Sequence, residues 1–557
     1  MDKPGFLTAN LRALAEADPE LAARLSTART KTHRYQFLCS RSGSLIPAIR
    51  DPAGKAHPLH SLVDPVREGS RLISTVKDAG FLVFFGLGGG FALAAALERE
   101  DIQYVLVIDY DMPSIGELLD SKPYHGILED PRVHILVDPS PELIEGYILE
   151  RYQPVLYRGI QVIPLRTRID AEPEPFSAAA QGINAAIAHI TGDHSVQAHF
   201  GARWFSNILR NLLSAKPATA PFPRINQAAI CAAGPSLDVQ LPLLARKRHD
   251  CFLIATDTSL PSLLHAGLEP DAVVSIDCQH ISYYHFMQGL PRHIPLYLDL
   301  ASPPVVASQT QKPRFFSGGH PLTRYVAQYW QPLVLVDTSG GNVTYAAVSL
   351  ADCLGAEQVE LYGADFAYPL GRSYARGTYL SPFFDARQTR FTPLEALWST
   401  FLYRNPELKR IQRGDDWYYE TPTLSRYRRL LEEKTASLHA RVISIAGMTA
   451  PLHIRKQQKT RSSSPCMSFG EPGIAARDFI AGYREAIRAL PRLQGTVQGY
   501  LQGLSAAQGC ILTTLLPLAA TLQYRSPSLG TGELLETVRT FCLNKIDTLL
   551  GSEQVVP

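Results

Sequence analysis

The chain has 557 residues and is almost neutral, with 54 Lys and Arg against 52 Asp and Glu. This balance excludes a protein that binds nucleic acid or an anionic membrane through its overall charge. Apolar residues make up 45% and charged residues 19% of the chain, which excludes a largely disordered protein. The length predicts three or four globular domains.

The N-terminal segment MDKPGFLTANLRALAEADPELAARL predicts an amphipathic helix with interspersed acids. It lacks the uninterrupted apolar core of a signal peptide. Two apolar stretches, 81–98 and 509–522, are broken by glycines or by Pro517, and we expect both to be buried elements of a protein without a membrane span. None of the eight cysteines forms a CxxC pair, and several lie in apolar runs. These features predict reduced thiols and a cytoplasmic location.

Residues 1–65 predict a helical and strand-containing lead-in, with strands in YQFLCSRSGSLIPAIRD. Residues 66–215 predict a Rossmann-like domain, in which the strand FLVFFGLGG, the helix FALAAALERE and the strand YVLVIDYD form a βαβ unit. HILV (134–137) and IQVIPLR (160–166) add strands, and a helical stretch runs from about 176 to 214. A linker rich in proline and alanine, SAKPATAPFPRIN (214–226), follows.

The glycine run of this first domain predicts a dinucleotide site built from Gly86, Gly88 and Asp109. The glycines would approach a pyrophosphate and Asp109 would accept from a ribose hydroxyl. The run does not match GxGxxG strictly, and methyltransferase-like sheets share the pattern. Asp109-Tyr110-Asp111 also has the DxD form that binds metal in many glycosyltransferases. A Rossmann unit without a ligand is a further alternative.

Residues 225–385 predict a central domain with a doubly wound, mostly parallel sheet. Its predicted strands are QAAICAAG, FLIATDT, AVVSIDC, IPLYLDL, RFFSG, LVLVDTS and QVELYGADF. An aromatic and basic connecting segment (386–465), ending in the serine-rich joint KQQKTRSSSP (456–465), leads to a helical C-terminal domain (466–557). The overall prediction is an α/β protein with an N-terminal Rossmann-like unit, the central sheet and a helical C-terminal domain.

Small and polar residues follow the first three strands of the central domain, where a doubly wound sheet binds its ligands. Gly234-Pro235-Ser236 would cradle a phosphate at a helix N-terminus, or form only a turn and a cap. Asp257, Thr258 and Asp277 would accept from ribose or base groups or hold a metal, or cap the helices that follow. Their common position favours a nucleotide site.

Further candidates follow the later strands. Ser339, Gly340 and Asn342 predict an anion or sugar cradle, with Asn342 as a simple helix cap as the alternative. The acid Asp365 ends the last strand, and the loop after it carries Arg372, Tyr374 and Arg376, which suit an anion clamp. His320 follows a strand and two glycines, which suits a general base.

Three ordered segments, AAGPSL, ATDTSLPSLLHAGLEPDAVVSIDCQ and DTSGGNVTYAAVSLADCLGAEQVELYGADFAYPLGRSYARGTY, resemble the motility-associated factor (Maf) glycosyltransferase family. The resemblance covers residues 225–385, and the flanking regions also look like that family. It implies a sialyltransferase-like central domain. It further implies a cytoplasmic enzyme of flagellar assembly and motility that transfers a nonulosonic, sialic-acid-like sugar from a CMP-activated donor to Ser or Thr of flagellin.

On this resemblance, Gly234 to Ser236 with Asp257, Thr258 and Asp277 would bind the nucleotide. His320, with Asp277, would serve catalysis. The sugar or its carboxylate would meet a set formed by Ser339, Gly340, Asn342, Asp365, Arg372, Tyr374 and Arg376. Tyr374 stands where the family pattern has a histidine, and the chain departs from the pattern at this position.

The same superfamily holds the archaeal 6-hydroxymethylpterin diphosphokinase, called MptE-like, which transfers diphosphate from ATP with the help of a metal. This is the first alternative, with Mg²⁺ as its expected metal. The sequence lacks the dense aspartate cluster of that enzyme, which favours glycosyl transfer. A catalytically inactive chaperone that binds flagellin is the second alternative.

Overall fold

The computed structural model describes six ranges of the chain: 6–28, 34–51, 54–214, 222–413, 416–455 and 473–551. Most of the predicted linker 214–226 and all of the serine-rich joint 456–465 lie outside these ranges. The chain forms two compact units. The first comprises residues 1–201, 489–512 and 516–540, and the second comprises residues 202–488, 513–515 and 541–557.

The first unit begins with two short helices, because Pro19 ends the predicted N-terminal helix early. The elements up to the long helix α10 are α1 (Leu7–Ala17), α2 (Pro19–Thr27), β1 (Tyr35–Cys39), β2 (Leu45–Arg50), β3 (Ala56–Pro58), α3 (Pro65–Ser74), β4 (Ala79–Phe85), α4 (Phe91–Leu97), β5 (Tyr104–Asp109), α5 (Met112–Ser121), α6 (His125–Leu128), β6 (Val133–Val137), α7 (Pro141–Arg151), α8 (Pro154–Tyr157), β7 (Gly159–Pro164), α9 (Arg166–Ala171) and α10 (Pro173–Ser214).

The predicted Rossmann-like sheet is a four-stranded parallel sheet in the order β6-β5-β4-β7. Every residue of β4 and β5 is buried. Successive side chains of β4 point to opposite faces, so that Leu82 and Phe84 join one apolar cluster while Phe81 and Val83 join another. A run of apolar residues without alternation is what a sheet covered on both faces requires. The lead-in strands form a separate antiparallel sheet, β1-β2-β3.

The second unit alternates strands and helices, as predicted. Its elements are β8 (Gln227–Cys231), α11 (Ser236–Arg246), β9 (Phe252–Thr256), α12 (Leu260–His265), β10 (Ala272–Ser275), a 3₁₀ helix (His280–Phe286), β11 (Leu296–Asp299), α13 (Pro304–Ala307), β12 (Pro313–Phe316), α14 (Pro321–Tyr329), α15 (Val343–Cys353), β13 (Gln358–Tyr362), β14 (Tyr368–Pro369), α16 (Leu380–Asp385), α17 (Leu394–Tyr403), β15 (Lys409–Arg413), β16 (Asp416–Glu420), α18 (Pro422–Lys434) and β17 (Arg441–Ser444).

The central sheet has seven parallel strands in the order β12-β11-β10-β9-β8-β13-β17. From β8 the chain winds outward through β9, β10 and β11 to β12, and then returns to the other side of β8 as β13. The strand order therefore reverses between β8 and β13, and doubly wound sheets bind ligands outside the carboxyl ends of the strands at such a switch point. The mixed α/β fold class predicted from the sequence is confirmed.

Two strands of the sheet differ from the sequence-based prediction. LVLVDTS was predicted as a strand, but it contributes a single bridge between Leu335 and Ser317, beyond β12 at the edge of the sheet. Leu335 is 56% exposed, so the apolar residues of this segment are not covered on both sides. Conversely, β17 pairs with β13 although it follows residue 385, where the predicted central domain ends.

The helices predicted for the C-terminal domain are present as α19 (Ala476–Arg488), α20 (Val497–Gly503), α21 (Ala506–Arg525) and α22 (Thr531–Gly551). In the described part of the chain, α21 is the one helix long and apolar enough to cross a membrane, and half of its apolar window is buried in the protein. Gly201 of α10 packs so tightly on the carbonyl of Pro517 that a side chain would overlap it. A buried core helix has the same length and composition.

Seven cysteines lie in the described ranges, and all seven are free thiols. Burial raises the pKa of the Cys231 and Cys542 thiols, so these side chains are neutral apolar groups of the core. Cys466, the eighth, lies outside the described residues. The prediction of free thiols is confirmed for the seven.

Candidate functional site at the carboxyl edge of the central sheet

The turn Gly234-Pro235-Ser236 lies at the switch point, after β8, and Ser236 is the first residue of α11. Its anion-binding groups are already occupied. The Ser236 backbone N–H donates to Asp365 Oδ2 at 2.8 Å, and Ser236 Oγ donates to Asp365 Oδ1. A side chain at Gly234 would overlap both this carboxylate and the carbonyl of Gly363. The glycine therefore allows a carboxylate of this chain, not a bound phosphate, to reach the start of the helix.

Asp365 was predicted to bind the sugar or another anion, and the structure gives it a structural role instead. The residue is 4% exposed and accepts from Thr449 Oγ1 at 3.1 Å, while the Met448 backbone N–H donates to Ser236 Oγ at 2.7 Å. Burial raises the pKa of Asp365, and the hydrogen bonds from Ser236 and Thr449 oppose the rise. This network joins β8, β13 and the segment after β17. The prediction missed it because Thr449 lies in a segment assigned to a connection.

A cavity of about 340 Å³ opens beside this network. Its wall includes Val239 of α11, Leu370 and Trp417, and its remaining lining comes from Asp416 and the backbone segment 446–448. The cavity is large enough for a ring-sized group and lies next to the switch point.

The next two strands end in the predicted acids. Asp257 is 4% exposed and accepts from the Thr258 N–H at 2.7 Å, from Thr258 Oγ1 at 3.0 Å and from Ser275 Oγ at 2.7 Å. Thr258 thus serves to hold Asp257. Asp277 follows β10 and accepts from the Gln279 N–H at 2.8 Å. Burial raises the pKa of Asp277, and the negative charge of Asp257 adds to the rise.

Three tyrosines that come from later elements are near enough to these two acids to interact with them electrostatically. Tyr374 lies in the loop after β14, and Tyr379 lies at the end of that loop. In addition to burial, the negative charge of Asp257 raises the pKa of both phenols. Tyr427 of α18 and Tyr379 sense the charge of Asp277. Burial raises the pKa of all three phenols, which are therefore hydrogen-bond donors at neutral pH. Tyr374 was predicted here, whereas nothing in the sequence pattern singled out Tyr379 and Tyr427.

His320 lies after β12, as the N-cap residue of α14. Its Nε2 is 3.6 Å from Oδ2 of Asp299, the last residue of β11, and its ring packs on Trp204 with centroids 4.2 Å apart. Asp299 is 2% exposed, and burial raises its pKa while the nearby His320 opposes the rise. Neither Asp299 nor Trp204 was predicted. LYLDL did end in an acid at the same edge, which was the available signal for Asp299.

Trp204 reaches His320 because the last turns of α10 are tied to the ends of β10 and β11. Asn207 Nδ2 donates to the carbonyls of Cys278 and Ala301, at 3.1 and 2.9 Å. Asn211 Nδ2 donates to the carbonyls of Leu300 and Ser302, both at 2.8 Å. Both amides are buried, and leaving either set of carbonyls without a donor would be costly.

The segment from Ser339 to Asn342 follows Thr338, whose Oγ1 donates to the carbonyl of Gly318, two residues before His320, at 3.0 Å. Asn342 is the N-cap of α15 and accepts from the Tyr345 N–H at 3.0 Å, as its alternative interpretation predicted. Ser339 is exposed, and its N–H donates to Asp337. Gly340 is closed off by the Tyr345 ring. Ser339 is therefore the member of the predicted cradle that is open to a ligand.

The two arginines of the predicted anion clamp are held by an acid. Arg372 forms an ion pair with Asp238 in the first turn of α11, and the Arg376 N–H donates to Asp238 Oδ1 at 2.9 Å. The Arg376 side chain is 85% exposed, with Nε 3.7 Å from the same carboxylate. Asp238 thus draws this loop onto α11. An anion would have to compete with Asp238 for Arg372.

The predicted dinucleotide site of the first unit is closed. Asp109 is fully buried, accepts from the Leu87 N–H at 2.8 Å and pairs with Arg168 Nε at 3.0 Å. It therefore cannot meet a ribose, and this expectation is corrected. Gly86 has φ +98°, and a side chain on Gly88 would lie 2.6 Å from Leu165, so protein groups already fill the space beside the glycines.

The described ranges contain no group of three His, Cys, Asp or Glu side chains placed to hold a metal ion. Asp257, Asp277 and Asp299 follow adjacent strands, but the contacts above already use oxygens of each. The site is a row of buried and half-buried carboxylates with three tyrosines nearby and one imidazole at its end. Such a row suits hydroxyl and amine donors of a ligand, and the imidazole suits proton transfer.

Comparison with known proteins places the same part of the chain in a family. Residues 202–371 match the family model described as 6-hydroxymethylpterin diphosphokinase MptE-like. Two similar proteins, both called uncharacterized, come from Treponema pallidum (strain Nichols). One is 36% identical over 121 residues, which are 22% of this chain and 42% of that protein. The other is 34% identical over 160 residues, which are 28% of this chain and 76% of that protein.

A solved structure, the Maf glycosyltransferase from Magnetospirillum magneticum AMB-1, has the same fold over almost the whole length. The match covers 99% of this chain and 96% of that one, with a TM-score of 0.56 and 15% sequence identity. The chain therefore belongs to the family of the second Treponema protein, its residues 202–371 match the MptE-like family model, and its fold is similar to that of the Maf glycosyltransferase.

Proposed function

We propose that the protein is a glycosyltransferase that moves a nonulosonic sugar from a CMP-activated donor to Ser or Thr of flagellin. The observation that carries the proposal is the row of polar groups along the carboxyl edge of the central sheet, from the switch point to His320, in a chain that shares the Maf fold. On this proposal the protein acts in the cytoplasm, before flagellin is exported, and supports flagellar assembly and motility.

The strand order limits where the donor phosphate can lie. Neighbouring strands are about 4.8 Å apart, so His320 after β12 is about 19 Å, or four strands, from the turn after β8. In a CMP-sugar the reacting carbon is joined directly to a phosphate oxygen. A phosphate at Gly234–Ser236 and a base at His320 therefore cannot serve one reaction. Since Asp365 occupies that turn, the phosphate belongs near the ends of β10 and β11.

The groups near β10 fit this placement. Tyr379 and Tyr427 interact electrostatically with Asp277, and their hydroxyls would donate to the phosphate. Arg203, whose charge also reaches Asp277, supplies a cation. The nucleoside would extend towards β8, where Asp257 could accept from its hydroxyl or amine groups. Gly234, Pro235 and Ser236 then shape the switch point and do not bind phosphate.

The sugar would lie between His320 and α18. Ser339 is exposed and follows Thr338, which is bonded to the Gly318 carbonyl. Gly341 lies against the Tyr427 ring, with 3.2 Å from a Cβ position at Gly341 to the ring. A sugar carboxylate would accept from the Ser339 hydroxyl there. His320 would take the proton of the acceptor hydroxyl as that oxygen attacks the sugar carbon and CMP leaves.

Transfer can be measured with purified protein, flagellin and a CMP-activated nonulosonic acid, from CMP release and the intact mass of flagellin. His320→Gln removes the proposed base and should lower the rate at least about 100-fold. Asp250→Asn, an exposed acid before β9 at the opposite edge of the sheet, should match the wild type. An unmodified flagellin mass with every CMP donor would contradict the proposal. If flagellin still bound the protein in that case, a chaperone role would be the better interpretation.

The family model over residues 202–371 favours one second candidate, an ATP-dependent diphosphokinase that acts on a pterin-type alcohol. This reaction would release AMP from ATP in the presence of Mg²⁺ and the alcohol. The diphosphokinase would be favoured if AMP release depended on the alcohol and no CMP were released from a CMP-sugar.

A further inference from the structure

Asp299 is a buried carboxylate that contacts the imidazole of His320. Asp299 ends β11 and is 2% exposed. Its Oδ1 accepts from the Ala301 N–H at 2.8 Å, and its Oδ2 lies 3.6 Å from His320 Nε2. That distance is within ion-pair range and longer than a hydrogen bond, as is common for catalytic pairs before substrate binds. A side chain at Gly318 would overlap Oδ2, so the glycine gives the carboxylate room at this place.

The imidazole is held from several sides. Its ring packs on Trp204, and its backbone carbonyl accepts from Thr323 Oγ1 at 2.9 Å and from the Arg324 N–H at 3.0 Å. The side chain is 21% exposed. Within the described ranges, Nε2 faces Asp299 while Nδ1 has no hydrogen-bond partner. One ring nitrogen is therefore directed inward, and the other is available to a ligand.

Asp299 has no Arg or Lys partner within ion-pair distance in the described part of the chain. A buried carboxylate without a cation is costly, and it is retained where it orients another group or stabilises a charge that forms later. A protonated His320 is the cation that can form next to it. The burial of Asp299 is explained if it acts when His320 gains a proton.

We propose that Asp299 is a positioning residue, which holds His320 with its proton on Nε2 and stabilises the imidazolium that forms during transfer. The inference rests on the proposed function. Nδ1 accepts the proton of the acceptor hydroxyl, the acceptor oxygen bonds to the sugar carbon, and the bond from that carbon to the phosphate breaks with its electron pair going to CMP. The imidazolium then loses its proton to water.

The kinetic test compares Asp299→Asn, His320→Ala and the double variant. Asp299→Asn keeps the shape, but its amide donates to Nε2 and favours the opposite tautomer, with the proton on Nδ1. We expect kcat to fall about 100-fold or more with KM changed less than roughly threefold. Because Asp299 acts through His320, the double variant should be no slower than His320→Ala. If the rate losses of the two single variants multiplied in the double variant, the proposal would be overturned. A rise in KM without a fall in kcat in Asp299→Asn would also overturn it.

Three further measurements test folding, donor binding and, independently of the proposed function, the histidine tautomer. Thermal unfolding shows whether Asp299→Asn is folded at the assay temperature, and CMP binding by calorimetry should be the same for Asp299→Asn and the exposed-site control Asp250→Asn. Nitrogen NMR of the full chain, with the His320 signal assigned by its loss in His320→Gln, reports the tautomer without any substrate. The proton should be on Nε2 in the wild type and on Nδ1 in Asp299→Asn. An unchanged tautomer would overturn the positioning role even if sugar transfer is shown, and the predicted change would support it even if no transfer is found.

Discussion

Each of the two parallel sheets has a glycine-containing turn after a central strand, and in each turn a carboxylate of the same chain accepts from the backbone. In the first unit, Asp109 accepts from the Leu87 N–H. In the second, Asp365 accepts from the Ser236 N–H. Both turns have the sequence features of a phosphate cradle, and in both a carboxylate of the chain already accepts from a backbone N–H. A glycine turn after a strand therefore indicates a place where an anion fits. It does not indicate whether that anion is a ligand or a carboxylate of the protein itself.

The two carboxylates differ in what balances their charge. Asp109 is paired with Arg168, which is itself fully buried, so this ion pair is part of the core. Asp365 is balanced by hydroxyls and one N–H, from Ser236 and Thr449. The first turn is fixed by a buried ion pair. In the second turn, the carboxylate is held mainly by hydroxyl groups, which can reorient. The candidate site accordingly lies in the second unit.

The largest expected effect comes from removing the cation of the first turn. Arg168→Met leaves Asp109 buried and uncompensated, and we expect a loss of about 3–5 kcal/mol in the free energy of unfolding. Differential scanning calorimetry measures it. Arg492→Met is the control, because Arg492 forms an ion pair with Glu536 but is 74% exposed, and its loss should cost less than about 1 kcal/mol. Equal losses of stability in Arg168→Met and Arg492→Met would contradict a structural role of the buried ion pair.

Replacing each acid by its amide compares the turns directly. Both oxygens of Asp109 accept from N–H groups, so an asparagine would place its NH₂ against a donor, and we expect a loss of roughly 1–3 kcal/mol. Oδ1 of Asp365 meets hydroxyls, which can turn to accept from the amide. Asp365→Asn should therefore cost less than about 1 kcal/mol. Urea unfolding of both variants would contradict this comparison if Asp365→Asn were the more destabilising change.

Stability against pH gives a smaller effect with a defined sign. Burial raises the pKa of Asp365 above its value in the unfolded chain, so the folded state binds more protons between the two values. The contribution of this group to stability is present at low pH and is lost as pH rises through the folded pKa. The Tm of the wild type relative to Asp365→Asn should therefore fall as pH is raised from 4. A difference that grows with pH would show that the carboxylate is favoured in its charged form.

The smallest effect is expected in the loop that Asp238 holds. Arg372 and Arg376 are partly and largely exposed, so Arg376→Ala should change the free energy of unfolding by less than about 0.5 kcal/mol and Arg372→Ala by less than about 1 kcal/mol. If Arg372 leaves Asp238 to bind donor, Arg372→Ala should raise KM for the CMP-sugar while Tm stays unchanged. An unaltered KM would restrict Arg372 to holding the loop.

Sequence patterns were sufficient to predict that the acids follow strands at one edge, but not the partners of each acid. Asp257, Asp277 and His320 lie at the predicted edge, and the resemblance to Maf and MptE-like proteins is confirmed for the fold and for an MptE-like match over residues 202–371. Tyr427 and Trp204 were missed because they lie on helices far along the chain, in segments without a motif. The failed strand LVLVDTS shows the same limit, since an apolar run does not reveal that it falls beyond the edge of the sheet.

The sequence by itself determined the alternation of strands and helices, the parallel sheets and the edge at which polar residues gather, because these follow from local periodicity and short connections. Tertiary structure alone decided which polar groups satisfy one another. Ser236 meets Asp365 across 129 residues and Met448 across 212, and Asp109 meets Arg168 across 59. Burial makes an unpaired polar group costly, so the chain first satisfies its own donors, and the groups that remain, around Asp277 and His320, are those left for a ligand.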